Sequence, residues 1–218
     1  MCGRFALYSS FSAIKDYADL LNEIGEVDPN YNVTPGQIIP IVMLEHSKRI
    51  LEPVKWGLVP FWAKDPKIGY RMINTRSESI TEKPSFKAAF KYRRCLIPAN
   101  GFYEWKKPAK QPFFIYLQNR ELFSFAGIWE EWYHPDGSTL RTCSIITTIA
   151  NERMQEIHDR MPVILSREDE IKWLKENEKK ELLSLLKPYS SNQMQIHPVS
   201  KAVNSYKNDY AELMEEVK

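Results

Sequence analysis

A chain of 218 residues with 43% hydrophobic and 12% aromatic side chains has the length and composition of one globular domain with a sizeable core, which argues against disorder. No apolar run approaches the roughly 20 residues that cross a bilayer, no signal-peptide pattern precedes Arg4 and Lys15, and Cys2, Cys95 and Cys143 lack the spacing of a disulfide framework or a zinc site, so the expectation is a cytoplasmic protein without membrane contact. The net charge of +2 is uninformative by itself, but residues 83–110 hold eight basic side chains against the single acid Glu104, a local +7 that leaves −5 for the rest.

In chain order, residues 2–8 predict a strand that ties the N-terminus into the fold. From Ser12, the positions Ile14, Tyr17, Ala18, Leu21 and Ile24 keep helical spacing, and Gly25 supplies a stop. Turn chemistry at 32–36 leads into two paired strands, 38–44 and 49–56. Residues 56–62 crowd Trp56, Gly57, Pro60 and Trp62 together, which breaks any regular element and leaves an indole available. Asn74 and Arg76, two positions apart, share a face if that segment is extended. Strand patterns follow at 95–97, 113–117, 122–129 and 140–149, with Pro135, Asp136 and Gly137 as a turn. A short helix over 151–157 ends at His158, Asp159 and Arg160, and 163–165 is extended again. Ser166 with Asp169 resembles a capping box, a helix over 180–186 is ended by Pro188, and a strand at 194–199 precedes a polar tail. The expected class is α+β, a single domain over 1–218 with a β-rich, barrel-like core and helices packed at its margins.

Four residue sets are candidates for chemistry. Cys2 follows the initiator Met; removal of Met1 sets an amine (reference pKa about 8) and a thiol (about 8.5) on one carbon framework, a pair that condenses with aldehydes. A tolerated small residue at position 2 explains the same observation equally well. Glu104 stands among Phe102, Tyr103 and Trp105, where partial burial suits a proton shuttle, while a surface ion pair with Lys106 or Lys107 is the alternative. His158 has Asp159 and Arg160 beside it, as an acid–base group or as a helix-terminal histidine. Asn74 and Arg76 offer an amide and a guanidinium for a sugar, an amine or a phosphate. The basic stretch interleaved with Phe86, Phe90, Tyr92, Phe102, Tyr103 and Trp105 reads either as a platform for nucleic acid or as a solvated face above buried rings.

Five ordered blocks, at residues 1–5, 56–60, 74–78, 95–105 and 157–162, closely resemble the motifs of the SOS-response-associated peptidase family. Thr34, Pro35, Thr147 and Thr148 resemble further family positions. The resemblance implies an abasic-site processing protein that binds single-stranded DNA and traps the ring-opened aldehyde of a lost base as a thiazolidine on the N-terminal cysteine. It implies Cys2 as nucleophile, Asn74 as the group that steadies the terminus or lesion, Glu104 as acid/base and His158 as helper in sugar opening and reversal. Arg4, Trp62, Arg76 and Arg160 are the expected DNA contacts, with no metal and no organic cofactor, and the protein is expected to be a monomer. A lyase activity at abasic sites and a self-directed peptidase activity on Met1 accompany that reading. Two rivals stand beside it: a glutamine amidotransferase, which also begins Met-Cys-Gly, and a non-catalytic single-strand binding module.

Overall fold

The computed structural model describes residues 2–22 and 26–217. Its strands are β1 (Phe5–Leu7), β2 (Asn30–Val33), β3 (Ile38–Glu45), β4 (Lys48–Trp56), β5 (Asn74–Arg76), β6 (Arg94–Ala99), β7 (Gly101–Lys106), β8 (Gln111–Leu117), β9 (Phe123–Tyr133), β10 (Thr139–Ile149), β11 (Arg160–Pro162), β12 (Ile164–Leu165) and β13 (Met194–Pro198). The helices are α1 (Phe11–Ala18), α2 (Pro84–Tyr92), α3 (Glu152–Gln155), α4 (Arg167–Lys175) and α5 (Lys179–Ser184).

Five strands close on themselves. β4 pairs with β3, β3 with β6, β6 with β9 and β9 with β10, all antiparallel; β10 returns to β4 in parallel at Thr142↔Lys55 and Cys143↔Trp56. Closure removes the unpaired edges that an open sheet would present. Past the point where β10 leaves β4, its freed edge takes up β5 in parallel (Ile145↔Asn74) and its end takes β11 antiparallel (Ile149↔Arg160). A second sheet, in the order β13-β8-β7-β1-β2, is antiparallel throughout.

The two layers share one core. Phe5 of β1 meets Trp56 of β4 edge-on at 5.3 Å between ring centroids, and Phe102 of β7 meets Phe125 of β9 at 6.0 Å. Edge-to-face rings of this kind add about 0.5–1.5 kcal/mol per pair beyond their burial. The other face of the second sheet buries Ala6, Tyr103 and Phe114 against Val199, Val203 and Leu213. The last segment, expected to be a polar tail, therefore carries apolar anchors that close this face.

Two elements depart from the sequence reading, β7 because both of its faces are buried and α2 because its charges mask a single apolar stripe. β7 has no alternation to read: Phe102 and Glu104 face the barrel while Tyr103 faces the C-terminal segment, and all three are buried. α2 opens with Pro84 in its first turn and buries Phe86, Ala89 and Phe90 at helical spacing, inside a stretch that charge counting alone had marked out. α1 is shorter than expected. Ser10 caps it by accepting from the Ala13 amide, and it stops at Asp19, whose left-handed φ of 53° ends the helix before Leu21; Ile24 and Gly25 lie outside the described residues. The Ser166 cap on α4 forms as expected, accepting from the Asp169 amide at 3.1 Å.

Gly101 marks the start of β7 for a steric reason. A Cβ there would stand 2.2 Å from Phe114 Cζ and 2.9 Å from the Ile115 carbonyl oxygen. Gly101→Ala is expected to destabilise the fold by about 1–3 kcal/mol through displacement of the Phe114 ring, read as a melting temperature several degrees lower in calorimetry.

Candidate active site

The site is built outward from β1. Phe5 pairs with Phe102, and the Tyr103 amide donates to the Arg4 carbonyl at 2.9 Å, which ties the residues just upstream of β1 to β7 and leaves the Cys2 thiol within reach of the Glu104 charge. Cys2 is fully buried, and its thiol points to the Arg4 carbonyl at 3.8 Å. On the barrel side, Trp56 is buried and its indole N–H donates to the Ile73 carbonyl at 2.9 Å, which fixes the entry to β5. From β5 the Asn74 amide nitrogen donates to the Cys2 carbonyl at 2.7 Å. This bond crosses the seam between the two sheets. The Asn74 Oδ1 has no hydrogen-bond partner among the described residues, so its acceptor is held in reserve beside the N-terminal segment.

β5 behaves as the two-residue period demands. Thr75 turns inward, with its hydroxyl 2.8 Å from that of Ser144, and Asn74 and Arg76 flank it on the other face, Arg76 exposed. Glu104 is 4% exposed, which sets aside the surface ion pair, and its Oε1 accepts from the Trp105 amide at 3.2 Å. Burial pushes the Cys2 thiol from the ordinary 9.0 up to about 12, and the Glu104 charge adds to the rise. The sulfur is therefore a neutral thiol at physiological pH.

His158 follows α3, where Asn151 caps the helix and the Ala150 amide donates to the Asp159 carbonyl at 3.0 Å. Its Nδ1 accepts from the Arg160 amide at 3.0 Å and lies 2.7 Å from an Asp159 carboxylate oxygen. The ring is thus held between a backbone amide and a carboxylate at the end of α3.

The expected DNA contacts divide. Arg160 is 8% exposed, its two terminal nitrogens on the Glu78 carboxylate at 2.7 and 3.0 Å and on the Thr147 carbonyl at 2.7 Å. Its guanidinium holds β11 against β10 and the residues after β5, and the bidentate bond to Arg160 keeps the Glu78 carboxyl below its usual range. Arg4 is likewise engaged, with Asn32 Oδ1 at 2.8 Å and the Val203 carbonyl at 2.6 Å. Both arginines, expected as DNA contacts, serve as internal ties in this structure. Trp62 is 48% exposed and Phe61 56%, on a loop that is itself pinned: the Trp132 indole donates to the Ala63 carbonyl at 2.7 Å. Gly57 and Gly69 bring the loop's two arms into backbone contact, since a Cβ on Gly69 would fall 2.5 Å from the Gly57 carbonyl oxygen. Trp62 lines a groove of ≈ 330 Å³ with Lys64, Lys67 and Arg71, three cations the sequence reading passed over although they follow the tryptophan within nine residues. Their signal was local charge beside an irregular aromatic loop. Of the two readings of 83–110, the structure resembles the solvated face above buried rings: Phe86, Phe90, Phe102 and Tyr103 are buried while Tyr92 is exposed, and Arg94 is spent on the carbonyls of Phe90, Lys91, Trp173 and Glu176.

The model of the family described as SOS response associated peptidase (SRAP) matches residues 1–206. The chain belongs to this family. Among SRAP relatives, the abasic site processing protein YoqW of Bacillus subtilis (strain 168) is 48% identical over 222 residues, covering 99% of each chain. The abasic site processing protein HMCES of Xenopus tropicalis is 35% identical, over 85% of this chain and 65% of that protein. A crystal structure from Bacteroides thetaiotaomicron superposes with a TM-score of 0.91 at 27% identity over 100% of both chains. Membership of SRAP, together with this fold, decides against the glutamine amidotransferase reading. No helix among the described residues is long and apolar enough to cross a membrane, and no group of three or more His, Cys, Asp or Glu side chains there is arranged to hold a metal ion.

Burial raises all three thiols, Cys2, Cys95 and Cys143. In the chain carrying Met1, none should react with a thiol reagent at pH 7 until denaturant is added, when all three react. Above pH 9 the unfolded chain loses thiol protons that the folded chain keeps, so stability falls as pH rises, by up to about 1.4 kcal/mol per pH unit for each thiol. Urea titrations from pH 8 to 11 read this slope; a flat profile would count against buried thiols.

Proposed function

We propose that this SRAP chain is an abasic-site processing protein that binds single-stranded DNA and captures the open-chain aldehyde of a lost base as a thiazolidine on Cys2. The observation that carries the reading is the seam itself: the buried Cys2 thiol lies close enough to Glu104 to feel its charge, and the Cys2 carbonyl is held by Asn74. The names of the Bacillus and Xenopus relatives support the substrate class.

On this reading, loss of Met1 converts the Cys2 nitrogen from an amide into an amine. The amine adds to C1′ of the open sugar, and water leaves to give an imine. The thiol then adds to the same carbon; its proton passes to the nitrogen, and a five-membered ring closes. Glu104 carries protons in both steps, because a neutral, buried thiol cannot close the ring without a nearby base. Asn74 Oδ1 accepts from the new amine, and His158 moves protons to and from the sugar during opening and reversal. The imine also acidifies C2′, so β-elimination is open to it as a side activity until ring closure removes the imine. Every reacting atom belongs to protein or DNA, and neither metal nor organic cofactor enters. The protein acts as a cytoplasmic monomer on this account, with Trp62, Arg76 and the Lys64–Lys67–Arg71 groove receiving the strand.

Mass spectrometry after incubation with single-stranded DNA carrying one abasic site should detect a heat-stable adduct formed with loss of one water. Cys2→Ser keeps the amine but loses the ring-closing sulfur, and a heat-stable adduct from that variant would refute the thiazolidine. Glu104→Gln is expected to slow adduct formation about a hundredfold or more while DNA affinity stays close to wild type. Removal of Met1 has two candidate agents, the protein itself or a housekeeping aminopeptidase. Cell-free synthesis with aminopeptidases inhibited separates them, since only self-removal then yields Cys2 as the first residue.

Strand binding has its own signature. Trp62→Ala should weaken binding to an abasic-free oligonucleotide by about 1–3 kcal/mol, the value of one stacked base, in fluorescence anisotropy. Arg76→Ala should lower the salt slope of the same titration by about one.

A further inference from the structure

A second concavity lies away from the seam, between α2 and the start of α5. It encloses ≈ 300 Å³ above a floor of Phe90 and Leu182, both buried, and its rim carries Lys87, Lys91 and Lys179 with Thr81 at the mouth; no acidic side chain lines it. Several half-buried arginines elsewhere are matched by carboxylates, as in Arg93 with Glu130, Arg120 with Glu170 and Arg141 with Glu52 and Glu131, whereas the three rim lysines stand exposed. Among the described residues Lys87 and Lys179 have no ion-pair partner, and Lys91 has only the Tyr92 ring, 4.9 Å below its ammonium. Three like charges around one apolar floor repel one another, and an anionic occupant relieves that repulsion.

We infer that this groove docks an acidic peptide segment of a partner protein, with a leucine or phenylalanine on the Phe90–Leu182 floor and carboxylates against Lys87, Lys91 and Lys179. Apolar anchor and charge are both needed to explain the site. A nucleic acid strand would use the same cations, but it gains its remaining affinity by stacking on open ring faces. Here Phe90 is 4% exposed, and Tyr92, although 68% exposed, does not line the groove and has the Lys91 ammonium 4.9 Å from its ring. The volume suits one or two large side chains, at the lower end of ligand pockets.

The test is anisotropy of the full chain with a fluorescein-labelled peptide of alternating glutamate and leucine around a central phenylalanine. Saturable binding that weakens with salt is expected. The same peptide with glutamine for glutamate, or with serine for its apolar residues, should bind about tenfold more weakly or worse, as should the peptide to the Lys87→Glu/Lys91→Glu variant. Thr81→Trp fills the mouth and should abolish binding. Amide shift mapping on the unaltered protein makes the test independent of variant folding, since perturbation must centre on Thr81 and Asn177. Equal binding of the glutamine peptide, shifts centred elsewhere, or no peptide binding while a labelled oligothymidylate loses affinity in the double variant would each overturn the proposal, the last by making the groove a nucleic-acid surface.

Discussion

The bond from the Asn74 amide to the Cys2 carbonyl, 2.7 Å long, is the constraint on which the rest of the site depends. A single such bond contributes only about 1 kcal/mol. Its importance is positional, because it joins a strand of the barrel to the first residues of the second sheet. Upstream of it, Trp56 fixes the entry to β5 through the Ile73 carbonyl; downstream, Phe5 and Phe102 lock β1 onto β7. A chain terminus is ordinarily the least ordered part of a domain. Here it is bonded on both sides, so that Cys2, Asn74 and Glu104 keep fixed relations before any substrate arrives.

Charge is used in two distinct ways. Buried ionic groups need partners, and the molecule supplies them: Glu170 receives Arg120 and Arg167, Arg160 receives Glu78, and Arg94 is surrounded by four carbonyls. These side chains are structural ties, and their abundance near the core makes raw charge counts a poor guide to a binding surface. Among the remaining cations, one group borders Trp62 and another the α2–α5 groove. Both groups border concave surfaces, one with an exposed indole and one with a closed apolar floor, and that difference in ring exposure separates a surface suited to bases from one suited to side chains.

The buried thiol imposes a particular proton logic on the proposed reaction. Exposed thiolates are reactive toward many partners; a thiol pushed up to about 12 stays protonated and inert until an electrophile is delivered next to it. The Glu104 charge adds to the rise of the thiol, and in the proposed reaction the same carboxylate takes its proton. His158, held by the Arg160 amide and beside the Asp159 carboxylate, is the group proposed to exchange protons with the sugar.

The sequence by itself determined the α+β class, most strands, the Ser166 cap and the chemical identity of Cys2, Asn74, Glu104 and His158, because short motifs and two-residue or helical periods are local properties. It misjudged β7 and α2, since burial on both faces of β7 removes alternation and the charges of α2 mask its apolar stripe. It could not decide whether Glu104 was a surface ion pair, whether Trp56 or Trp62 was the free indole, or that Arg4 and Arg160 were already engaged. The two arginines depend on partners far away in the chain, Glu78 for Arg160 at 82 positions and Val203 for Arg4 at 199. Only the closure of five strands into a ring, with β5 and the N-terminal strand meeting at its rim, brings such partners together, and burial at that seam is what turns a motif into a site.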